Sequence, residues 1–441
     1  MIKQYFHDLA DHLAAQLQRG EDYTAWLAGE RSDFVRFNHG KVRQAGEVSQ
    51  LYLTLRLIQG QKHVSSQLTL AGRLDDDRGQ LSAEVARLRT MLADVAADPH
   101  LLLNTAPQSG EHIEPSRLPA AEAIVDDVVN AANGFDFVGF LACGPVFNGF
   151  ANSWGQRNWQ EKASFSLDWS LYAGGDKAVK AGYAGTEWDR DAFRAKFDHA
   201  AAQLLLLQRP AKTIAPGSYR AYLTPGALAE VIGMLNWGGF SEKQLRSKRS
   251  SLIRLADGEQ ALNPMVSLLE HTAEGLAPAF QSEGFIKPAK VDLVREGRFA
   301  GSLISPRSAK EYGIAANGGN EGEIMESLQM AGGELAQARI LAELGTGLYI
   351  SNLWYLNFSD RMNCRLTGMT RFATFWVENG EIVAPLNVMR FDDSVYRMLG
   401  KNLEALTRER ELLVETQTYG SRQTSSQLLP GALLSEMALV L

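Results

Sequence analysis

The sequence predicts an α+β fold in two domains, and three observations lead to it. Polar and hydrophobic residues alternate with the period of a half-buried strand in several segments, such as 51–58 and 164–171. Other segments place hydrophobic residues on one face of a helix. The segment QRPAKTIAPGS at 208–218 contains two prolines and a glycine and is typical of a linker. We therefore expect helices packed on a mainly antiparallel sheet in residues 1–210, and a larger β-rich domain in residues 211–441.

The first half alternates helices with strands. Residues 1–20 place their phenylalanine and three leucines on one stripe, which predicts an amphipathic helix rather than a signal peptide. Gly60 and Gln61 are expected to turn the strand at 51–58 into a second strand at His63–Leu70. Further helices, each with one hydrophobic face, are predicted at 81–97, 119–132 and 188–208.

The second half opens with a strand, SYRAYLT, and a helix. Thr224 is a candidate N-cap and Pro225 a candidate first helical residue. The segment 290–305 has the pattern of a hairpin, and Asn379–Gly380 is a strong signal for a type I′ turn between two strands.

Composition limits the classes of function. Hydrophobic residues make up 45% of the 441 residues and charged residues 22%, which is typical of a water-soluble globular protein. The formal net charge of −7 argues against nucleic acid or an anionic membrane as partner. No apolar run approaches the roughly 20 residues of a membrane helix. Two cysteines in the whole chain argue against a disulfide framework, so we expect a cytoplasmic protein.

Several segments, taken in order, resemble the TldD/PmbA peptidase family. VRFNHGKVRQAGEVSQLYLTLRLIQGQKHVSS resembles its first strand pair, and GFANSWGQRNWQEKASFSL contains its N-S-x-G motif at Asn152, Ser153 and Gly155. YRAYLTPGALAEVIGML resembles the strand and helix that open its C-terminal domain. FQSEGFIKPAKVDLVREGRFAGSLISPRSAKEYG resembles its D-x-E-G block, and GTGLYISNL and TRFATFWVENGEIVAPL complete the set. The order of the segments over most of the chain carries the resemblance.

The resemblance implies one of two subunit types. TldD-type members carry an HExxxH helix, whose histidines bind a metal and whose glutamate can activate a metal-bound water, and a cysteine near the C-terminus. PmbA-type members, also called TldE, lack these ligands and pair with TldD. This chain has no HExxxH, and its nearest histidines, His7 and His12, lie on the N-terminal helix. The resemblance thus implies a TldE-like or a divergent TldD-related chain without a metal, and zinc in a TldD-like partner.

The segment NFSDRMNCRLTGMTR at 357–371 departs from the family pattern and is rich in arginine. Arg361, Arg365 and Arg371, together with Asn363, are candidates for binding a peptide carboxylate, although structural salt bridges explain them equally well. Cationic neighbours can also activate a thiol, which makes Cys364 a candidate nucleophile. No histidine follows residue 271, so the sequence offers no base near this cysteine.

Three further residues are candidates for contact with a substrate. His271 has a glutamate directly before it and another three residues after it, but a single histidine is a weak metal signal. Ser305 and Arg307 lie in the segment ISPRSAKEYG, which the resemblance places near the family's cleft.

The sequence therefore predicts a TldE-like subunit of a TldD-type metallopeptidase assembly, acting on unfolded peptides in proteolysis and peptide maturation. In this interpretation the partner brings zinc, and this chain shapes the chamber. Two alternatives remain open: a non-catalytic homodimer that binds peptides, and a self-sufficient hydrolase with an atypical site.

Overall fold

The first half of the chain forms a seven-stranded sheet with the order β3-β2-β1-β5-β6-β4, in which β7 also pairs with β6. The computed structural model describes residues 1–175 and 177–440. All neighbouring strands are antiparallel except the short pair β4 and β6, which confirms the predicted mainly antiparallel sheet. The strands are β1 (Asp22–Asn38), β2 (Lys41–Gln59), β3 (Lys62–Leu70), β4 (Gly110–Ile113), β5 (Asp136–Asn152), β6 (Arg157–Tyr172) and β7 (Ala178–Gly185).

Four helices pack on this sheet, as predicted. They are α1 (Ile2–Gln16), α2 (Leu74–Leu92), α3 (Ala121–Ala132) and α4 (Arg190–Leu207). Helix α2 begins earlier than the predicted residue 81, and a buried carboxylate explains why. Asp77 accepts hydrogen bonds from the backbone N–H groups of Ala71 and Arg73, which satisfies donors at the entry of the helix.

The second half forms an 11-stranded mixed sheet in the order β11-β10-β9-β12-β18-β16-β14-β13-β8, with β15 beside β14 and β17 beside β18. This confirms the larger β-rich second part. The strands are β8 (Gly217–Leu223), β9 (Leu268–Glu270), β10 (Val291–Arg295), β11 (Arg298–Phe299), β12 (Ser327–Met330), β13 (Gly347–Asp360), β14 (Arg365–Glu378), β15 (Glu381–Pro385), β16 (Arg390–Ser394), β17 (Leu403–Val414) and β18 (Ser426–Leu439).

Short helices connect these strands, and two local predictions are confirmed. Thr224 caps the first helix by accepting the Ala227 N–H at 3.2 Å, and Pro225 is its first residue. Asn379 and Gly380 both have positive φ, 53° and 81°, as a type I′ turn requires. The helices are α5 (Pro225–Leu235), α6 (Glu242–Arg246), α7 (Ile253–Ala256), α8 (Pro306–Tyr312) and α9 (Ile340–Leu344), with a 3₁₀ turn at Gln337–Arg339 and a π turn at Arg397–Lys401.

One hydrophobic core joins the two halves. Phe137 and Phe197 from the first half belong to the same buried cluster as Tyr349 and Phe375 from the second half. The chain boundary near residue 210 stays a prediction, since this shared core ties the two sheets together. Among the described residues, none of the helices is long and apolar enough to span a membrane.

The loop between β17 and β18 adds a polar anchor. Arg422 is buried, and its guanidinium donates to the carbonyls of Gly144 and Ser164 at 2.9 and 2.7 Å and to the hydroxyls of Ser32 and Ser164. Its backbone N–H donates to Glu30 at 3.1 Å. The loop is therefore fixed to the middle of the seven-stranded sheet.

Candidate functional site

The largest cavity lies between the two halves and is called the central cleft here. Its first wall comes from β6, β7 and α4, and its second wall from α5, the start of β13, β17 and the loop that follows β17. The volume is about 1630 Å³, whereas sites for small ligands usually enclose about 300–1,000 Å³. The size fits a length of polymer better than a single small molecule.

Two strand edges open into the central cleft. Strand β7 pairs only with β6, and five successive residues, 180–184, line the cleft. Strand β17 pairs only with β18 along 410–414, and all residues of 409–417 line the cleft. Because successive side chains alternate between the faces of a sheet, such continuous runs indicate that the strand edge itself turns toward the cavity. Unpaired backbone groups along an edge can accept an extended peptide as an additional strand.

Charged residues gather at one part of the cleft. Asp168 and Lys180 form an ion pair with 3.3 Å between Oδ2 and Nζ, and burial raises the pKa of the Asp168 carboxyl in spite of this lysine. Burial also raises the pKa of Glu230 on α5, an effect that Glu415 strengthens and Lys180 opposes. The three carboxyl groups around one ammonium favour a basic rather than an acidic occupant.

A neutral hydrogen-bonding group occupies another part of the cleft. The amide nitrogen of Gln203 donates to Nε2 of His199 at 3.0 Å and to the hydroxyl of Tyr349 at 3.3 Å. Burial lowers the pKa of His199, and the nearby Lys196 ammonium lowers it further, so the imidazole is neutral near pH 7. Burial raises the pKa of Tyr349 to about 12. Such uncharged donors and acceptors suit the amide groups of a peptide.

The donor set of this chain does not fit a metal ion. Within residues 1–175 and 177–440, no three histidine, cysteine, aspartate or glutamate side chains converge as a metal site requires. His7 and His12 have the spacing of the two histidines in HExxxH, with an aspartate in the place of the glutamate. However, Nε2 of His12 lies 3.0 Å from the carbonyl of Arg78 and 2.8 Å from the hydroxyl of Ser82. We therefore derive no catalytic step through a metal held by this chain.

None of the eight residues singled out from the sequence lines the central cleft. Ser305 caps α8, accepting from the N–H of Ser308 and donating to Glu323. Arg307 forms an ion pair with Asp98. His271 lies 3.8 Å from Glu274. Within the described residues, the cluster that the sequence pattern suggested around His271 is no metal site.

The arginine-rich segment is spread out along a hairpin. Arg361 lies 4.8 Å from the ring centre of Phe358, and Asn363 bonds to Asp360 and Arg254. Arg365 forms an ion pair with Asp392, whereas Arg371 is exposed further along β14. Cys364 is fully buried, and burial raises the pKa of its thiol to about 12, so it is protonated at neutral pH. Whether any of these residues contacts a substrate stays a prediction.

Sequence reasoning missed the residues that do line the cleft, although one signal was present. His199 and Gln203 stand one helical turn apart within an alanine-rich stretch of α4, where a polar pair is unusual. Asp168 belongs to the alternating strand pattern at 164–171, whose polar face was expected to meet solvent. That face instead meets the cleft through Ser166 and Asp168.

Comparisons with known proteins point to one family. Residues 216–440, about half of the chain, match the family model described as the PmbA/TldA metallopeptidase C-terminal domain. A segment of 176 residues is 28% identical to the metalloprotease PmbA of Escherichia coli O157:H7. This match spans 39% of the chain and 36% of that protein, so the chain covers about a third of its curated relative.

Solved structures share the fold over nearly the whole chain. TldE from Thermococcus kodakarensis superposes with a TM-score of 0.80 at 14% identity, covering 99% of this chain and 100% of that one. A Thermotoga maritima protein, described as a candidate modulator of a DNA gyrase, gives a TM-score of 0.76 at 14% identity, also with 99% and 100% coverage. At this identity the likeness shows the fold alone.

Proposed function

The chain belongs to the PmbA/TldD metallopeptidase family, and on that premise we propose that it is the TldE-like subunit of a two-subunit cytoplasmic peptidase. Its role is to hold unfolded peptides in extended form in the central cleft, for proteolysis or peptide maturation. A TldD-like partner supplies the zinc ion, the metal-bound water and the glutamate that activates this water.

One observation carries the proposal: the unpaired edges of β7 and β17 open into the same cleft. An added strand is held through main-chain hydrogen bonds, which every peptide offers and a folded protein keeps for itself. The neutral groups at His199, Gln203 and Tyr349 can bond to amides that the edges leave unpaired. The cleft therefore selects for an extended chain before it selects for a sequence.

The test is to measure metal content and cleavage of an unstructured fluorogenic peptide, for this chain alone and mixed with a TldD-like partner. We expect no stoichiometric zinc and no cleavage alone, and cleavage on mixing. Zinc near one ion per chain with cleavage alone would establish the self-sufficient hydrolase instead.

A second candidate, the non-catalytic homodimer that binds peptides, is favoured by the same open strand edges, because they need no partner. It predicts peptide binding by the isolated chain and no cleavage on mixing. Binding by fluorescence anisotropy and cleavage on mixing, measured with the same labelled peptide, separate the two candidates.

A further inference from the structure

A second unpaired strand edge lies on the outside of the molecule. Strand β2 pairs with β1 along its whole length, but β3 covers its other side only from Leu51 onward. The residues from 41 to 47 are exposed on both faces of the sheet, and Val42 keeps 42% of its surface in contact with solvent. Natural proteins rarely leave a strand edge of this length uncovered.

The sequence of this edge is complementary to itself when two copies run antiparallel. With Ala45 opposite Ala45 of a second copy, Arg43 faces Glu47 and Val42 faces Val48. Each pair occurs twice because the arrangement has twofold symmetry. Opposite charges and β-branched side chains directly across an antiparallel pair are both favourable.

The isolated chain leaves these charges without partners. Within residues 1–175 and 177–440, neither Arg43 nor Glu47 makes a side-chain hydrogen bond or an ion pair. Glu47 stands directly opposite Asp33 on β1, and like charges in this position are unfavourable. Burial raises the pKa of Asp33, and the carboxylates of Glu47 and Glu122 raise it further. An arginine from outside would relieve this concentration of negative charge.

The shape of the edge also sets its register. Strand β3 ends at Leu70 beside Leu51, so the free stretch of β2 runs from the hairpin turn at His39–Gly40 to this point. With Ala45 on the twofold axis, the turn of the copy reaches the end of β3 without overlapping it. Arg43 is the extra residue of a bulge against β1, which releases its side chain from the alternation that β1 imposes.

We propose that two copies of this chain dimerise by pairing residues 41–49 of β2 edge to edge, with Arg43 of each copy on Glu47 of the other. The two seven-stranded sheets then form one continuous sheet. This interface lies on the opposite edge of the sheet from the central cleft, so it is independent of the proposed peptide binding.

Charge reversal in the full-length chain tests the interface. We expect Arg43→Glu and Glu47→Arg each to weaken dimerisation at least about tenfold in sedimentation velocity at micromolar concentrations. The double variant R43E/E47R restores the pair of charges and the dimer. An equimolar mixture of the two single variants also dimerises, because each supplies the charge that the other lacks. Unchanged circular dichroism of the single variants serves as the control for folding.

Cross-linking tests the register. Opposite Cα atoms in an antiparallel pair lie about 4.5–5.5 Å apart, within reach of a disulfide. We expect Ala45→Cys to form an intermolecular disulfide under mild oxidation. Gln44→Cys is the matched control, since the two Gln44 positions are diagonal at about 7–8 Å. A monomeric wild-type chain, a dimer that survives both single charge reversals, or equal cross-linking at 44 and 45 would overturn the proposal.

Discussion

The two unpaired edges of the seven-stranded sheet offer the same backbone chemistry but different surroundings. The β7 edge faces the central cleft, with walls that carry mixed charge and neutral polar groups. The β2 edge faces solvent and carries Arg43 and Glu47 at positions that complement a second copy. The comparison shows how the environment of an edge selects its occupant: a transient peptide of any sequence where the edge is enclosed, and a copy of the same strand where it is open.

The largest effect is expected between the two edges, where Arg422 joins the halves of the molecule. Arg422→Ala removes buried hydrogen bonds to β1, β5 and β6 and leaves their acceptors unpaired. We expect the free energy of unfolding to fall by about 2–4 kcal/mol, measured by urea denaturation.

Arg408→Ala is the matched control, because Arg408 is exposed and its side chain donates to a single carbonyl, that of Glu334. We expect it to change stability by less than about 0.5 kcal/mol. Equal losses in the two variants would show that the buried contacts of Arg422 contribute little to the joining of the halves.

The next effect concerns the enclosed edge alone. Ala184 lies on β7 opposite Ser166 and lines the cleft, so Ala184→Trp would fill the space beside the edge. We expect peptide affinity to fall at least about tenfold, or 1.4 kcal/mol, with no change in dimerisation. The measurement is fluorescence anisotropy with a labelled unstructured peptide.

Thr69→Trp is the control for this substitution. Thr69 is exposed on β3 of the same sheet but outside the cleft. Peptide binding that survives Ala184→Trp, or that falls equally in Thr69→Trp, would remove the β7 edge from the proposed function.

Salt should separate the two edges by a smaller effect. Cross-strand ion pairs between exposed side chains weaken as the ionic strength rises. We expect the dissociation constant of the dimer to increase several-fold between about 50 and 500 mM sodium chloride. Binding of an uncharged peptide, which rests on main-chain hydrogen bonds, should change by less than about twofold. A dimer that is insensitive to salt would contradict the role of Arg43 and Glu47.

The first half of the fold was largely predictable because its strands follow a simple alternation. The second half was less so, and the hairpin of β13 and β14 shows the reason. Its register shifts three times, and Tyr355, Cys364 and Phe372 have positive φ. Each irregularity re-aims the side chains that follow it. The positions of Arg361 and Arg371 relative to a cleft therefore could not be derived from alternation.

The central cleft was unpredictable for a different reason. Its lining residues come from segments between 166 and 427, and only the packing of the two sheets brings them together. A polar residue on a strand, such as Asp168, has the same pattern whether it meets solvent or a cavity. The residues that a family resemblance highlighted are largely engaged in local structure, as the helix cap at Ser305 illustrates.

The smallest expected effect is a pH dependence that reports on the cleft. The pKa of Glu230 in the folded protein is raised above its ordinary value of 4.5, so folding favours the protonated form. Wild-type stability should therefore rise, relative to Glu230→Gln, as the pH falls from 7 through the raised pKa. We expect the variant to be slightly more stable at pH 7 and equal to the wild type below pH 4.5, measured by thermal denaturation.

Glu409→Gln is the control of opposite sign within the same cleft. Backbone N–H groups hold the pKa of Glu409 below its ordinary value, so its ionised form favours folding. This variant should be less stable than the wild type at pH 7, and the difference should vanish as the pH falls through the lowered pKa. If both variants shift in the same direction, the walls of the cleft do not differ in electrostatic environment. The charge distribution along the β7 side would then have no part in selecting a basic occupant.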